Sequence, residues 1–307
     1  MRVIVVPLRV SLALSLGLCT SPSQLAPQSL PQPSPPPAVM YQKYDLPKAV
    51  VHVVKIPKQG PYSIRPKVAA GLTPVDEFAQ QPSQATGRQQ VSANSIAVIN
   101  GGYFDPVNQQ TTSYIRMNGQ VQADPQQNAR LVENPDLQVY LPKILNRSEF
   151  RQYQCGTEVQ YAITTYQHPI PSECRLIYSL GAGPQLLPQL TLQAEGFTDA
   201  VNGQMTRDAI GSHQPNARSA IGITKTGDIL WVMVAQQSAA KPGLSLPALA
   251  NFLKQQGAES ALNLDGGSSS ALVYENKIHP GKPDSSGQSM IRPVKSVLVL
   301  QKTSTDF

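Results

Sequence analysis

The sequence predicts an α+β protein in which a mixed, strand-rich sheet packs against a few helices within a single domain. Most apolar segments are short and rich in β-branched residues, which favours strands. Only residues 245–256 show clear helical periodicity. With 28 prolines and only 14% charged residues, the chain should be loop-rich without being a charge-rich disordered protein. Its 307 residues suffice for one large domain or two small ones.

Residues 1–20 are expected to form an export signal. Arg2 and Arg9 flank an apolar run whose centre, residues 10–18, is too short to span a bilayer as a mature helix. An uncleaved membrane anchor is the alternative. Cys19 follows the run directly, so lipid attachment there would tether the protein to a membrane. We therefore expect an exported protein, periplasmic or extracellular, with either a free or a lipid-anchored N-terminus.

Residues 21–47 are rich in Ser, Gln and Pro and are predicted to be an extended linker, with the folded domain spanning 48–307. Cys155 and Cys174 are the two cysteines that remain beyond Cys19. In an exported chain such a pair favours a disulfide that closes a short loop. Two unrelated buried thiols are the alternative.

Strands are predicted at 49–56, 95–99, 218–224, 228–235, 261–264, 271–274 and 296–300. Lys225-Thr-Gly227 separates two of these segments and predicts a hairpin. Ser245 suits a helix N-cap and Gly257 suits the position just past the helix end. A weaker helix is predicted within 76–94, and 125–215 shows little periodicity.

Asp265 is the first candidate for a catalytic group. It follows a short apolar run and precedes Gly266 and Gly267, so a packed strand would hold the carboxylate at its end. Such a group can serve as base, nucleophile or metal ligand. The glycine amides and the hydroxyls of Ser268 and Ser269 could bind an anion. The alternative is an aspartate that only accepts backbone hydrogen bonds in a turn.

Asn100 has a similar setting, because it ends an apolar run and precedes Gly101 and Gly102. Its amide offers both a donor and an acceptor for a sugar hydroxyl or a phosphate oxygen, although a turn asparagine would look the same. Arg218 begins a predicted strand, where a guanidinium could bind phosphate with two parallel hydrogen bonds. A surface cation is the alternative for Arg218.

Several function classes are disfavoured. Removal of the export signal would lower the formal charge of +6 by two, and the chain has no dense basic cluster, so nucleic acid is not an expected partner. The four histidines lack zinc-ligand spacing. A second catalytic carboxylate is not apparent; the candidates, each expected to be a solvated loop residue, are Asp105, Glu195, Asp199 and Asp208.

Taken together, three motifs resemble the phosphodiester glycosidase family: Asn100-Gly-Gly-Tyr-Phe104, Ala217-Arg-Ser-Ala-Ile-Gly222 and Leu262-Asn-Leu-Asp-Gly-Gly-Ser268. Leu180-Gly-Ala-Gly-Pro184 is similar to a further segment of that family. The resemblance spans about 95–300 and implies a single catalytic domain that hydrolyses a sugar-1-phosphodiester of a glycan or small molecule and releases the sugar.

Carried onto this chain, the resemblance implies catalytic roles for Asn100, Arg218 and Asp265. It implies substrate binding by Gly101, Gly102, Tyr103, Gly266, Gly267, Ser268 and Ser269. No cofactor is required, and a calcium ion at Asp265 is an alternative for which the sequence shows no further ligands. Two departures stand out: Ser268 occupies a position where relatives often have Gly, and residues 235–239 lack a charged Asp-Gly-Arg-type stretch.

Two other function classes remain open. A non-catalytic glycan- or wall-binding module would keep the fold and the Gly-Gly loops without turnover. A metal-dependent phosphodiesterase would cut the P–O bond instead, but the scarcity of His and of clustered carboxylates disfavours it.

Overall fold

A computed structural model describes residues 37–80, 95–283, 286, 288 and 291–303. The predicted export signal, Cys19 and most of the predicted linker lie outside these residues, as does the greater part of the helix predicted within 76–94. Residues 36–307 form one compact unit. Within the described ranges, no helix combines the length and the apolar character that crossing a membrane requires.

Strands account for 47% of the structure and helices for 15%, so the fold is mostly β. The strands are β1 (Met40–Leu46), β2 (Ala49–Ile56), β3 (Tyr62–Thr73), β4 (Ala97–Asn100), β5 (Ile115–Met117), β6 (Gln120–Ala123), β7 (Ser148–Cys155), β8 (Glu158–Thr165), β9 (Cys174–Gly181), β10 (Gln185–Leu187), β11 (Thr198–Val201), β12 (Gln204–Asp208), β13 (Arg218–Thr224), β14 (Ile229–Ala235), β15 (Ala258–Asn263), β16 (Ala271–Tyr274), β17 (Lys277–Pro280) and β18 (Val294–Lys302).

The α-helices are α1 (Val75–Gln80), α2 (Ala129–Val132), α3 (Leu141–Ile144) and α4 (Leu246–Gln255). Single 3₁₀ turns occur at Pro125–Gln127 and Gly267–Ser269, and a longer 3₁₀ helix spans Pro135–Tyr140. The sequence accounts for α4 well: the Ser245 side chain caps it by accepting a hydrogen bond from the Ala248 amide, and Gly257 takes the left-handed conformation (φ 87°) just past its end.

Three larger sheets carry the fold. The first sheet has the order β1-β2-β14-β13-β15-β10, the second β17-β16-β4-β18-β3 and the third β6-β5-β9-β7-β8, while β11 and β12 form a separate hairpin. Every strand pairing among the described residues is antiparallel. The prediction of one mixed sheet is therefore wrong: the antiparallel strands divide into several sheets with short connections.

The sheets pack in layers around a shared apolar core. One face of the first sheet, with Trp231 and Leu262, meets Ile99 of the second sheet and Phe150 of the third. The opposite face of the first sheet is covered by α4, and the outer face of the second sheet by α1. Because both faces of the first sheet are buried, its central strands are largely apolar, and β14 is apolar and buried at every position.

The strands with unbroken apolar runs lie where the sequence predicts them. The predicted and observed ranges agree at both ends for β2, β13 and β16, and the predicted hairpin joins β13 to β14. Residues 125–215, by contrast, contain most of the third sheet, whose strands carry many polar residues on their outer face. The disulfide between Cys155 and Cys174 is confirmed, and it joins directly opposed residues of β7 and β9.

The predicted boundary between linker and domain at residue 47 is wrong. Met40–Leu46 forms β1, which pairs with β2 along its whole length and is an edge strand of the first sheet. The polar and charged residues of β1 hide its strand character in the sequence, because an edge strand needs few apolar side chains.

A buried pair of histidines lies at the seam between the first and second sheets. The rings of His52 on β2 and His279 on β17 have centroids 4.3 Å apart, and the Tyr41 hydroxyl lies 2.7 Å from Nδ1 of His52. Burial, followed by the charge effects of His279, Lys43 and Lys277, lowers the pKa of His52 to about 3. Burial likewise lowers the pKa of His279.

This seam predicts acid sensitivity. A histidine of pKa 6.5 in the unfolded chain takes up a proton below that pH, whereas His52 in the folded chain resists protonation until about pH 3. The stability contributed by neutral His52 is complete above pH 6.5 and is lost at about 1.4 kcal/mol per pH unit below it. His52→Leu should therefore flatten the decline in the free energy of unfolding between pH 7 and pH 4.5, measured by urea denaturation.

The matched control is His168→Gln, since His168 is exposed. An identical pH dependence for His52→Leu and the native protein would refute the assignment.

Candidate active site

The three predicted motifs meet at one end of the first and second sheets. Asn100 ends β4 in the second sheet, Arg218 begins β13 in the first sheet, and Asp265 follows β15, the neighbour of β13. The Asp265 amide donates to the Gly101 carbonyl at 3.0 Å, and the Leu264 amide donates to the Ser219 carbonyl at 2.8 Å. The loop that carries Asp265 is thereby attached to both sheets.

Asn100 holds this junction together. Its side chain is fully buried. Nδ2 donates to the Asp265 carbonyl at 2.8 Å, and Oδ1 accepts from the Ser219 hydroxyl at 2.6 Å and from the Ala271 amide at 3.2 Å. Both ends of the amide are therefore used within the protein. The contacts assign Asn100 a positioning role on the Asp265 backbone rather than contact with a substrate.

Gly101 and Gly102 permit close packing of the loop that leaves β4. A side chain at Gly101 would lie 2.9 Å from the Ser296 carbonyl, and one at Gly102 would collide with the Gly181 carbonyl. Neither backbone neighbour can move aside as a flexible side chain could. The Gly101 amide also donates to the Ser296 carbonyl at 2.8 Å, so that N–H is not free for a ligand.

The Asp265 carboxyl lies half-buried at this junction. Burial raises its pKa to about 6, although the Ser269 hydroxyl, the Gly266 amide and the charge of Arg292 each favour the ionised form. The Gly266 N–H donates to Oδ1 of Asp265 at 2.9 Å. A carboxylate with this pKa is mostly ionised at neutral pH, as a nucleophile must be. It also readily accepts a proton, as a general base must.

The loop after Asp265 is a single 3₁₀ turn, and two of its predicted anion-binding amides are already engaged. The Gly266 amide binds Asp265, and the Gly267 amide donates to the Ala217 carbonyl at 2.8 Å. The Ser269 side chain is buried, and its hydroxyl has no hydrogen-bond partner of ordinary geometry among the described residues. Ser268 is half-buried.

Tyr103, predicted to contact substrate, instead makes hydrogen bonds within the protein next to the site. Its hydroxyl donates to the Gly183 carbonyl at 3.0 Å and accepts from Nδ2 of Asn263 at 2.6 Å. Burial and the nearby Asp265 charge raise the pKa of Tyr103 above its ordinary value, so the phenol stays protonated. Asn263 lies within the third motif but was not singled out by sequence reasoning, because a buried amide resembles any other strand residue.

Arg218 lies beside Gly266, but its guanidinium is used for another purpose. The side chain is buried and donates four hydrogen bonds to backbone carbonyls: those of Ile210, Gly211, Gln214 and Leu244. The predicted role as a phosphate ligand would require these bonds to break. The contacts support a structural role, in which Arg218 attaches the loop 210–214 to the start of β13.

Arg292 is the cation that sequence reasoning missed. NH1 of Arg292 donates to the Ser268 hydroxyl at 3.1 Å, and the guanidinium lies 5.3 Å from the centre of the Phe104 ring. Its charge reaches the Asp265 carboxylate and lowers the pKa of that group against the effect of burial. The sequence does not indicate that Arg292 lies near Asp265, because Arg292 belongs to none of the three motifs and stands in the segment just before β18.

The four other carboxylates considered from the sequence have partners of their own. Asp105 pairs with Arg130 at 2.8 Å, Asp199 accepts from the Tyr140 hydroxyl at 2.9 Å, and Asp208 accepts from the Ser212 amide. Glu195 is buried rather than solvated, and it accepts from the Ser148 amide and hydroxyl. In the described part of the chain, no group of three or more His, Cys, Asp or Glu side chains could hold a metal ion.

The Asn100 network predicts that Asn100→Ala is strongly destabilising. It leaves the Ser219 hydroxyl, the Ala271 amide and the Asp265 carbonyl buried without their partner. We expect a loss of about 3 kcal/mol in the free energy of unfolding, measured by urea denaturation.

Asn251→Ala is the matched control, because Asn251 is exposed on α4; it should change the free energy by less than about 0.5 kcal/mol. Equal effects of the two substitutions would show that the network does not hold the junction.

Two solved structures share this fold. The catalytic domain of zebrafish N-acetylglucosamine-1-phosphodiester alpha-N-acetylglucosaminidase, described as auto-inhibited by its pro-peptide, is 17% identical with a TM-score of 0.58, covering 86% of this chain and 82% of that one. A hypothetical protein from Synechocystis is 17% identical with a TM-score of 0.51, covering 85% of this chain and 61% of that one. The described chain thus spans less than two thirds of the Synechocystis protein.

None of the curated proteins compared with the sequence matches it significantly. The sequence model of the phosphodiester glycosidase family does match, over residues 93–301. That range contains all three motifs that meet around Asp265, together with Arg292 and the disulfide. The chain belongs to the phosphodiester glycosidase family.

Proposed function

We propose that this protein hydrolyses the glycosidic bond of a sugar-1-phosphodiester carried on an exported or cell-surface glycan. The observation that carries the proposal is the meeting of the three family motifs around the half-buried Asp265 carboxyl, whose pKa desolvation raises to about 6. Membership of the family and the shared fold with the zebrafish glycosidase domain agree with it.

The chemistry of the substrate suits a site with one reactive carboxylate. Hydrolysis at the sugar carbon breaks the C1–O bond and releases a phosphate monoester, which leaves as a stable anion. Such a leaving group needs less proton donation than a sugar alcohol does, so the second carboxyl of most glycosidases is not essential. This agrees with the engagement of Asp105, Glu195, Asp199 and Asp208 by other partners.

In this proposal the ionised Asp265 acts at the anomeric carbon, either attacking it directly or removing a proton from the water that does. Asn100 fixes the backbone of Asp265 through its carbonyl, and the Gly266 amide orients the carboxylate. Each group is held by the ends of strands, so the carboxylate position is set before substrate binds.

Export is part of the proposal. The apolar N-terminal segment and the Cys155–Cys174 disulfide both suit a protein that works outside the cytoplasm, where a surface glycan or exopolysaccharide would be the substrate.

Replacing Asp265 by Asn should lower kcat/KM for a sugar-1-phosphodiester by about 10²–10⁴-fold, because the amide can neither attack nor accept a proton. In the native enzyme kcat/KM should fall about tenfold per pH unit below pH 6, as protonation removes the reactive carboxylate. The residual activity of the variant should lack this acid limb. Both are measured from steady-state rates between pH 4 and pH 8.

Asp45→Asn is the control, since Asp45 is exposed on the edge strand β1. Full activity of Asp265→Asn would remove Asp265 from the mechanism.

Hydrolysis in ¹⁸O-labelled water should place the label in the released sugar and none in the phosphate, measured by mass spectrometry of both products. This outcome follows from C–O cleavage at the anomeric carbon. Label in the phosphate would mean P–O cleavage, the reaction of a phosphodiesterase.

A non-catalytic glycan-binding module is the second candidate. The observation that favours it is the uncharged stretch 235–239, which begins at the last residue of β14. The Gln236 amide in this stretch donates to the Gly281 carbonyl at 2.7 Å, and Gly281 lies close to Ser270. Polysaccharide binding without hydrolysis of any tested sugar-1-phosphodiester would favour this candidate.

A further inference from the structure

We propose that Arg292 binds the substrate phosphate and that Ser268 positions Arg292, so that this pair selects phosphate-bearing glycosides over neutral ones. The inference rests on the proposed function and names the residue that recognises the phosphate leaving group of that reaction. The motifs point to Arg218, to the glycine amides and to the Ser268 hydroxyl as anion ligands, and they give Arg292 no role.

The first step is the exclusion of Arg218. A guanidinium has five N–H donors, and four hydrogen bonds from Arg218 already reach backbone carbonyls in the loop 210–214 and at Leu244. Its side chain is only 2% exposed. Redirecting this group toward a phosphate would take these hydrogen bonds away from the four carbonyls and detach the loop 210–214 from β13.

The second step is the availability of Arg292. It is half-buried, and among the described residues it pairs with no carboxylate and donates a single N–H, to the Ser268 hydroxyl. The Phe104 ring lies against the guanidinium and restricts its orientation. A planar cation held in this way, with further N–H groups unused, matches the two-oxygen face of a phosphate.

The third step is the neighbouring backbone. The Gly266, Gly267, Ser269 and Ser270 amides of the loop all donate to protein acceptors, whereas the Ser268 amide has no such acceptor in the described part of the chain. Ser268 thus offers a backbone N–H and a hydroxyl, and Arg292, which contacts it, offers a guanidinium. Together they supply the donors that a phosphate anion requires.

The placement relative to Asp265 suits the reaction. Ser268 stands three residues after Asp265 on the same short loop, and the charge of Arg292 acts on the Asp265 carboxylate. A phosphate bound by Arg292 would bring the C1–O bond next to the carboxylate, while the guanidinium offsets the repulsion between the two anions. Release of the phosphate monoester then leaves its added negative charge on the group that the guanidinium binds.

Ser268 restricts the position of the guanidinium, because its hydroxyl accepts a hydrogen bond from Arg292. The hydroxyl fixes the guanidinium without neutralising it, because a serine carries no charge. Ser268 thus positions Arg292 by accepting its hydrogen bond, and both residues offer donors to the phosphate.

The test compares two substrates of one sugar, its 1-phosphodiester and its neutral p-nitrophenyl glycoside. Arg292→Gln should lower kcat/KM for the phosphodiester by about 10- to 100-fold, and it should lower any turnover of the neutral glycoside by a clearly smaller factor, through the pKa of Asp265 alone. Arg292→Lys keeps the charge but not the planar pair of donors, so its loss should be intermediate. Arg175→Gln is the matched control, because Arg175 is exposed on β9.

The role of Ser268 is separated by a conservative variant. Ser268→Gly should raise KM for the phosphodiester several-fold with little change in kcat, and Ser268→Thr, which retains the hydroxyl, should restore the native KM. Equal effects of Gly and Thr would assign Ser268 a merely structural role and overturn this part of the inference.

Direct binding makes the inference independent of turnover. Inorganic phosphate and the sugar-1-phosphate should bind the native protein in calorimetry, and Arg292→Gln should weaken both by at least about 10-fold while its circular dichroism stays native. Unchanged phosphate affinity in Arg292→Gln, or no phosphate binding by the native protein, would overturn the inference. Phosphate binding through Arg292 without hydrolysis of any phosphodiester would instead refute the proposed function alone.

Discussion

The candidate site depends on the buried Asn100 amide, which connects two sheets and the loop that carries Asp265. Its donor holds the Asp265 carbonyl, and its acceptor takes the Ser219 hydroxyl and the Ala271 amide. A side-chain amide can satisfy both kinds of backbone group where strands from different sheets end and no ladder continues. The reactive carboxylate is held in place because this connection lies behind it.

Close backbone packing provides the second constraint. Gly101 and Gly102 bring the end of β4 against Ser296 on β18 and against Gly181 at the end of β9. The second and third sheets therefore meet beside the first sheet at these two glycines. Arg218 extends this arrangement, since its four carbonyl contacts attach the loop 210–214 to the same corner.

The pKa of Asp265 is set by two opposing effects, burial on one side and hydrogen-bond donors with a nearby cation on the other. Burial raises the pKa of Asp265, while the Gly266 amide and the charge of Arg292 partly offset that effect. The outcome is a carboxyl that titrates near pH 6, in the range useful for a reaction at neutral pH. Arg218 donates its hydrogen bonds to backbone carbonyls, whereas Arg292 contacts Ser268 and its charge reaches Asp265, a difference that residue type alone does not reveal.

The sequence by itself determined the strands with continuous apolar runs, the capped helix α4, the cysteine pair and the three motifs around Asp265. These features depend on local periodicity, turn chemistry and composition. Only the tertiary structure decided the division into several antiparallel sheets, the edge strand β1 and the separate tasks of Arg218 and Arg292. The physical reason is that edge pairing, burial and hydrogen-bond partners depend on residues far apart in the chain: Arg218 meets carbonyls of two loops, and Arg292 meets Ser268 across 24 positions.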